Sequence, residues 1–203
     1  MNRILSTSLV AASCAALFAG CASSPQATYV DPSGNRTLSN VGQINIQDWN
    51  MASETMINSL IEKQVNPGKL KASGPDGKSI LAISRIVNST GTQIDTDMIV
   101  KKIRVALLGT GKVVADITAG LGGAEDPLAA EAKREQEFLS TKKVAARPDY
   151  TLSGKIIENR AAQGNIREST YVFQMSLASS DGLAVWEEEK TISKQGKKSA
   201  VSW

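Results

Sequence analysis

Apolar side chains recur every three or four residues at the start of the folded region, which predicts an amphipathic helix from Asp48 to Val65. Pro67 and Gly68 follow and are expected to end this helix. The same period returns after Asp95 and Thr96, either of which can cap a second helix. The residues expected on the buried face of that helix are Ile99, Ile103, Ala106 and Leu107.

A third helix is predicted from Leu128 to about Thr141, and it is much more highly charged than the first two. Asp126 can cap it, and Pro127 suits its first position because that amide has no partner within a helix. Its charged residues are Glu131, Lys133, Arg134, Glu135 and Glu137.

Five segments have the patterns of β-strands. Two lie between the predicted helices: Ile80–Val87, apolar enough to be buried on both faces, and Val113–Ile117. The other three follow the third helix, and Ser180-Asp181-Gly182 is predicted to form a hairpin turn between the last two. These three are Tyr150–Ile156, Ser169–Ser179 and Leu183–Ile192. The order of elements predicts a single α/β domain with a mixed sheet packed by helices.

The last hairpin has a period of two along both strands. Tyr171, Phe173, Met175 and Leu177 are therefore expected to share one face, with Trp186 packed on the sheet or in the core. The neighbouring residues Glu187, Glu188 and Glu189 point alternately to opposite faces, so they are not expected to converge on a metal.

The N-terminus has the layout of a bacterial lipoprotein signal. A short cationic start precedes a mainly apolar run that ends in Leu17-Phe18-Ala19-Gly20-Cys21, close to a lipobox. Residues 1–20 are predicted to be a signal peptide, and Cys21 is predicted to be the lipid-attachment site. The alternative is an ordinary signal peptide in which Cys14 and Cys21 are incidental. The residues after Cys21 are Ala22 and Ser23, so no aspartate directly follows the lipid site. This favours sorting to the outer membrane, facing the periplasm.

The segments beside the predicted domain are polar. Residues 21–45 are expected to be a short flexible tether, residues 46–195 the domain, and residues 196–203 a basic, frayed tail that begins to loosen near Lys194. Lys194, Lys197 and Lys198 either contact lipid head groups or polyanionic glycan or only add solubility.

Composition excludes several kinds of chemistry. The chain has no histidine, and neither cysteine would remain as a free thiol after lipidation and cleavage. Catalysis by Ser-His-Asp or Cys-His groups and zinc sites with these ligands are therefore excluded. We expect no metal, no cofactor and no enzymatic activity. The net charge of +3 gives no reason to expect nucleic-acid binding. Gly109-Thr110-Gly111-Lys112 follows a predicted helix rather than a strand, unlike a phosphate-binding loop.

Three segments, in this order and spacing, resemble the LpoB family of outer-membrane lipoproteins. They are residues 86–97, from Ile86-Val87-Asn88-Ser89-Thr90 to Gln93-Ile94-Asp95-Thr96-Asp97; residues 125–138, from Glu125-Asp126-Pro127 to Glu137-Phe138; and Asp149-Tyr150-Thr151-Leu152-Ser153-Gly154-Lys155-Ile156. The hairpin from Tyr171 to Lys190 is also similar, so the resemblance covers about residues 45–195.

The resemblance implies a domain like the N-terminal domain of TolB, without catalytic activity. It implies that the domain binds the regulatory domain of a bifunctional penicillin-binding protein and activates its peptidoglycan synthesis. The well-studied members have long, proline-rich tethers, whereas the tether predicted here is short. The chain is expected to be a monomer.

The residues that would contact the partner are predicted from loop placement, because long glycine-bearing loops on a rigid scaffold are common recognition sites. The predicted contact residues are Gly122, Gly123, Glu125, Asp126, Pro127 and Arg134. The rival hypothesis is a structural or secretion-associated envelope lipoprotein that forms a discrete oligomer through a membrane-inserting hairpin. The predicted hairpin is short for that role.

Overall fold

The computed structural model describes Asp31 and residues 40–117, 127–139 and 148–197. The chain divides into two compact units, Met1–Asp31 and Pro32–Trp203. The described residues of the second unit form three α-helices and five strands. The helices are α1 (Ile46–Leu60), α2 (Thr96–Gly109) and α3 (Pro127–Leu139). The strands are β1 (Ser79–Ser89), β2 (Val113–Asp116), β3 (Tyr150–Gln163), β4 (Ile166–Ser179) and β5 (Ala184–Lys197).

Helix α1 begins with a capping box, in which two side chains each accept a hydrogen bond from the other residue's amide. Asn45 Oδ1 accepts from the Asp48 amide at 2.9 Å, and Asp48 Oδ2 accepts from the Asn45 amide at 2.8 Å. The helix continues into a π-helical turn, Ile61–Val65, so the predicted extent is confirmed. Its buried apolar stripe is Trp49, Ala52, Met56, Ile57 and Leu60.

Helix α2 also has the predicted position, and the structure identifies its cap. Asp95 Oδ1 accepts from the Asp97 amide at 3.0 Å and the Met98 amide at 3.3 Å, so Asp95 is the N-cap and Thr96 is the first helical residue. The buried residues of α2 are Thr96, Ile99, Val100, Ile103 and Leu107, whereas Ala106 is half-buried.

The five strands form one mixed sheet in the order β2-β1-β3-β4-β5. Strand β1 pairs in parallel with β2 and with β3, and the last three strands are antiparallel. The predicted α/β domain with a mixed sheet is therefore confirmed. Strand β1 lies between two parallel neighbours, and Leu81–Ile83 are buried on both faces as predicted, whereas Arg85 and Val87 are exposed. The predicted burial of both faces therefore holds for the first half of the strand. The likeness to TolB stays a prediction.

The helices α1 and α2 pack beside one face of the sheet, and this is where the core lies. The four residues predicted to share a face of the last hairpin are all buried there, and Trp186 of β5 is buried as well. The rings of Trp49 in α1 and Phe173 in β4 meet edge to face, with their centres 6.1 Å apart. The apolar side of the hairpin is thus covered by the domain's own core.

The three antiparallel strands are longer than predicted. Strand β3 runs to Gln163 and β4 begins at Ile166, joined by a turn in which Gly164 has a φ of 57°. Strand β5 extends to Lys197. The prediction that the chain frays from Lys194 is therefore wrong for Lys194–Lys197, which are part of the strand. The physical reason is backbone pairing of Lys194–Lys197 with Ile166–Ser169, which needs no apolar side chains. Residues 198–203 lie outside the described residues.

The segment before α1 is also more ordered than the predicted tether. Asn40 and Gln43 form a β-bridge, and Ile44 belongs to the hydrophobic core. Lys194 Nζ donates to the Gln43 carbonyl at 3.1 Å and forms an ion pair with Asp48. The folded domain therefore includes residues from Asn40 onward, six residues before the predicted boundary.

A cluster of hydrogen bonds around Asp149 and Tyr150 fixes the start of the sheet. The Asp149 carboxylate accepts from the Ile80 amide at 2.9 Å and from the Ser73 hydroxyl at 2.5 Å. The Tyr150 hydroxyl accepts from the Lys71 amide at 2.8 Å. Asp149 and Tyr150 belong to the third segment that carries the family resemblance, and these hydrogen bonds give them a structural role.

Among the described residues, no helix is both long enough and apolar enough to cross a membrane.

Candidate partner-binding surface

Helix α3 carries the two predicted contact residues that the structure describes. Pro127 is its first residue and is exposed, and Arg134 is exposed about two turns further along the helix. Gly122, Gly123, Glu125 and Asp126 lie outside the described residues, as does the predicted lipid site Cys21. The predicted surface is therefore placed only in part, and its placed part is one exposed proline and one exposed arginine.

The same helix exposes two large apolar side chains that the sequence analysis did not select. Phe138 is 86% exposed and Leu128 is 76% exposed, whereas Ala129 is 3% exposed. Of the α3 side chains whose burial is described, Ala129 alone is fully buried. Nine residues at 100° each place Phe138 about half a turn around the helix from Ala129. Phe138 thus lies on the side of α3 opposite the buried Ala129.

A signal for Phe138 was present in the composition. The whole chain has three phenylalanines, and one of them, Phe18, belongs to the predicted signal peptide. Of the other two, Phe173 is in the core and Phe138 stands among charged residues on α3. An aromatic ring on a strongly charged helix is a candidate contact, because exposed aromatic side chains are enriched at interfaces.

The sheet face opposite α1 and α2 is a second open surface, and it is polar. Cross-strand pairs connect its side chains: Gln174 donates to Glu189 at 2.8 Å, and Ser176 donates to Glu187 at 3.0 Å. The polar groups of this face thus satisfy one another, as expected for a solvated surface. Val87 of β1 is an exposed apolar residue on this face, and at 52% it is less exposed than Phe138.

The acidic run of β5 divides between the two faces, as predicted. Glu187 and Glu189 lie on the open face, whereas Glu188 lies on the helix side. There Glu188 accepts from Lys63 Nζ at 2.8 Å and from the Ser59 hydroxyl. Among residues 40–117, 127–139 and 148–197, no group of three or more Asp, Glu, Cys or His side chains could hold a metal ion.

Two buried carboxylates are held by hydrogen bonds rather than poised for proton transfer. Burial alone would raise the pKa of Glu158, but Arg160 Nε at 2.5 Å and the Gly91 amide at 2.7 Å outweigh it and lower the pKa. Burial would likewise raise the pKa of Asp149, and the hydrogen bonds from Ile80 and Ser73 lower it. Both carboxylates are thus ionised and pin loops to strands, which is a structural role.

The predicted absence of a phosphate-binding loop at Gly109–Lys112 agrees with the geometry. Gly109 ends α2, Gly111 has a φ of 70°, and Lys112 Nζ donates to the Asn66 carbonyl at 2.9 Å. The lysine is thus engaged at a helix C-terminus, where carbonyl groups disfavour an anion.

A sequence model of the peptidoglycan-synthase activator LpoB matches residues 48–192, which include every strand and helix from α1 to β5 except their outermost residues. The chain belongs to the LpoB family. Membership is thus established across most of the folded domain, and the family is one of activators of an enzyme rather than of enzymes.

Comparisons with solved structures find similar chains at low sequence identity, and these include two LpoB domains. The LpoB C-terminal domain from Escherichia coli is 17% identical with a TM-score of 0.43, and the match covers 72% of this chain and 99% of that one. The domain from Salmonella enterica is 16% identical with a TM-score of 0.41, covering 71% and 98%. Lipoprotein GNA1162 from Neisseria meningitidis is 13% identical with a TM-score of 0.37, covering 60% and 86%. A search of curated protein sequences found no match.

Proposed function

We propose that this chain is a non-enzymatic lipoprotein that binds a bifunctional peptidoglycan synthase, a penicillin-binding protein, and raises its activity. The observation that carries this proposal is the match of residues 48–192 to the family of peptidoglycan-synthase activators. The exclusion of histidine- and thiol-based catalysis by composition supports a role without chemistry of its own.

Activation by binding has a simple thermodynamic requirement. The domain must bind the active conformation of the synthase more tightly than the inactive one, and the shift cannot exceed that difference in affinity. A tenfold rise in the population of the active state thus needs about 1.4 kcal/mol of differential binding. A few well-placed contacts supply this amount, so a small surface on one helix is sufficient.

The proposed contact surface is α3 together with the loop that leads into it. It contains the six predicted residues Gly122, Gly123, Glu125, Asp126, Pro127 and Arg134, and we add Phe138 because its ring is 86% exposed. An aromatic side chain that becomes buried on binding, together with an arginine, is a combination that often provides most of the binding energy at protein interfaces. In this arrangement Phe138 supplies apolar contact area and the charged residues around it supply specificity.

The proposed lipid anchor at Cys21 would hold the domain at the outer membrane, facing the periplasm. The 19 steps from Cys21 to Asn40, which belongs to the folded domain, span at most about 65 Å at about 3.4 Å each. That is the greatest reach available to the domain in any conformation. The proposed partner site, on the regulatory domain of the synthase, must lie within this distance of the membrane surface plus the length of the domain itself.

The test is glycan polymerisation by the purified synthase with and without residues 22–203, which contain the whole compact unit Pro32–Trp203. We expect a faster reaction with the protein present. A synthase whose regulatory domain has been deleted is the control, and its rate should not change. No change in rate together with no binding at micromolar concentrations would reject the proposal. A discrete ring on size-exclusion chromatography with light scattering, in place of the expected monomer, would favour the rival structural function.

A further inference from the structure

A cleft of about 650 Å³ lies at the end of the sheet away from the Ser180–Gly182 turn. Its walls are the ends of the three antiparallel strands and the segment Asn40–Gly42. Positively charged residues are prominent in the lining, which includes Arg160, Arg167, Ser169 and Lys197. This cleft is a different surface from α3.

The strand register explains how the cleft is formed. Arg160 of β3 is paired with Ser169 of β4, and Arg167 of β4 is paired with Ala162 of β3 and Gly196 of β5. Residues that are paired across two strands share a face of the sheet, and so do residues two apart along one strand. Arg160 and Arg167 therefore lie on the same face, with Ser169 between them. Their neighbours on that face are small, which leaves open space between the guanidinium groups.

Segment Asn40–Gly42 closes one side of the cleft because Gly196 lets it approach β5. A Cβ atom built on Gly196 would lie 2.4 Å from Val41 Cγ2, so a larger residue would push the segment away. The ion pair between Lys194 and Asp48 holds the following residues in place. The cleft wall is therefore fixed by the fold.

The charges of the cleft are available to a ligand. Arg160 is oriented by Glu158, yet its side chain remains 57% exposed. Arg167 and Lys197 are exposed, and neither forms an ion pair with any residue that the structure describes. Arg160 and Arg167 share one face of the sheet, whereas Lys197 reaches the cleft from the other face, where it lies two residues beyond Gln195 on β5. The one acidic residue in the lining, Glu168, is on the same face as Lys197, and its carboxylate accepts a hydrogen bond from Gln195.

We propose that this cleft binds the phosphate of an anionic lipid head group. Arginine side chains suit this ligand because the planar guanidinium group donates two parallel hydrogen bonds to phosphate oxygens. The source is inferred from the chain itself, because the cleft wall Asn40–Gly42 directly follows the 19-step segment that begins at the predicted lipid site Cys21. Of the three lysines for which lipid contact was considered, Lys194 is engaged by Asp48, Lys198 lies outside the described residues, and Lys197 lines the cleft.

The experiment is co-sedimentation of residues 22–203, without the lipid, with phosphatidylcholine vesicles that either contain or lack phosphatidylglycerol. We expect binding only to the anionic vesicles and its loss when ionic strength rises from about 0.1 M to 1 M. Each cationic side chain near an anionic membrane surface strengthens binding about fivefold. The variant Arg167→Gln/Lys197→Gln lacks two of them and should therefore bind about 25-fold more weakly. The control Lys69→Gln/Lys101→Gln removes the same charge at exposed sites outside the cleft and should retain binding.

Three outcomes would overturn the proposal. One is equal binding to both kinds of vesicle, and another is an equal loss of binding in the two double variants, which would mean that net charge alone is responsible. The third is undiminished binding to the anionic vesicles at an ionic strength of about 1 M, which would show that the charges of the cleft are not what holds the protein on the vesicle. A circular dichroism spectrum identical to that of the wild type establishes that each variant is folded. None of these readouts depends on synthase binding.

Discussion

Helices α2 and α3 are nearly equal in length, 14 and 13 residues, but they use their apolar side chains in opposite ways. Helix α2 buries Ile99, Val100, Ile103 and Leu107 against the sheet, and Ile103 is completely inaccessible to solvent. Helix α3 buries Ala129 and leaves Leu128 and Phe138 exposed. The four buried residues of α2 therefore stabilise the fold, whereas Leu128 and Phe138 of α3 remain available for contact with another protein. Helix α2 also exposes apolar side chains, but the largest exposed fraction, 60% at Val105, is below those of Leu128 and Phe138.

The same difference separates two segments that lie within the residues matched to the family. The segment Asp149–Ile156 forms hydrogen bonds and core contacts inside the protein. Most of the described side chains of α3, in contrast, face solvent. The first segment therefore has a role in folding, and we attribute a role in binding to the second.

The largest effect is expected where α2 meets the sheet. Ile103→Ala removes three carbon atoms from a fully buried side chain and should lower the free energy of unfolding by about 2–5 kcal/mol. Urea denaturation followed by circular dichroism measures this change. Val105→Ala is the matched control on the same helix, since Val105 is 60% exposed, and it should change stability by less than about 0.5 kcal/mol. Similar values for the two variants would contradict the packing described for α2.

A second test asks whether the packed region includes the end of β5. Lys194 and Asp48 are 12% and 8% exposed, and Lys194→Met would leave the Asp48 carboxylate buried without its cation. We expect a loss of about 3 kcal/mol in the same denaturation experiment. Lys190→Met is the control, because Lys190 is on the same face of β5 and forms no ion pair with a described residue. If Lys194→Met were as stable as the control, the end of β5 would behave as the frayed tail that the sequence predicted.

The smallest of the stability effects concerns pH. Because the pKa of Glu158 is lowered by folding, its ionised form stabilises the protein above the ordinary value of 4.5, and this contribution is lost as pH falls through the folded-state pKa. Glu158→Gln should therefore reduce the dependence of stability on pH below about 4.5. Glu54→Gln, which alters an exposed ion pair, should leave that dependence as in the wild type. An unchanged dependence in Glu158→Gln would contradict the role given to Glu158.

The sequence predicted the elements whose side chains bury a stripe or alternate in polarity. The stripe of α1 and the period of two in Tyr171–Leu177 are examples, because burial on one face imposes a period on the sequence. The ends of β3 and β5 were missed because residues such as Glu158–Gln163 are mostly polar on both faces. Their strand structure depends on backbone pairing with β4, which leaves no period in the side chains.

The candidate site was predicted in part for a similar reason. Charge pattern and the Asp-Pro start placed α3 correctly at Pro127, and the glycines before it indicated a loop. Periodicity alone cannot show whether an apolar residue on a short charged helix is buried or exposed, so the period of α3 did not distinguish Phe138 from a core residue. The scarcity of phenylalanine in the chain was the signal that could have selected it. The engagement of Lys194 was equally hidden, because it depends on the tertiary position of Asp48.

The central claim is that the exposed face of α3 binds the synthase, and equilibrium binding of the purified synthase to residues 22–203 tests it most directly. Phe138→Ser should weaken binding by at least about tenfold, the effect of losing about 1.4 kcal/mol at one aromatic anchor, with no change in unfolding free energy beyond about 0.5 kcal/mol. Val105→Ser, which removes an exposed apolar side chain from α2, should bind like the wild type. Equal affinity of the wild type and Phe138→Ser, or equal weakening in both variants, would contradict the claim.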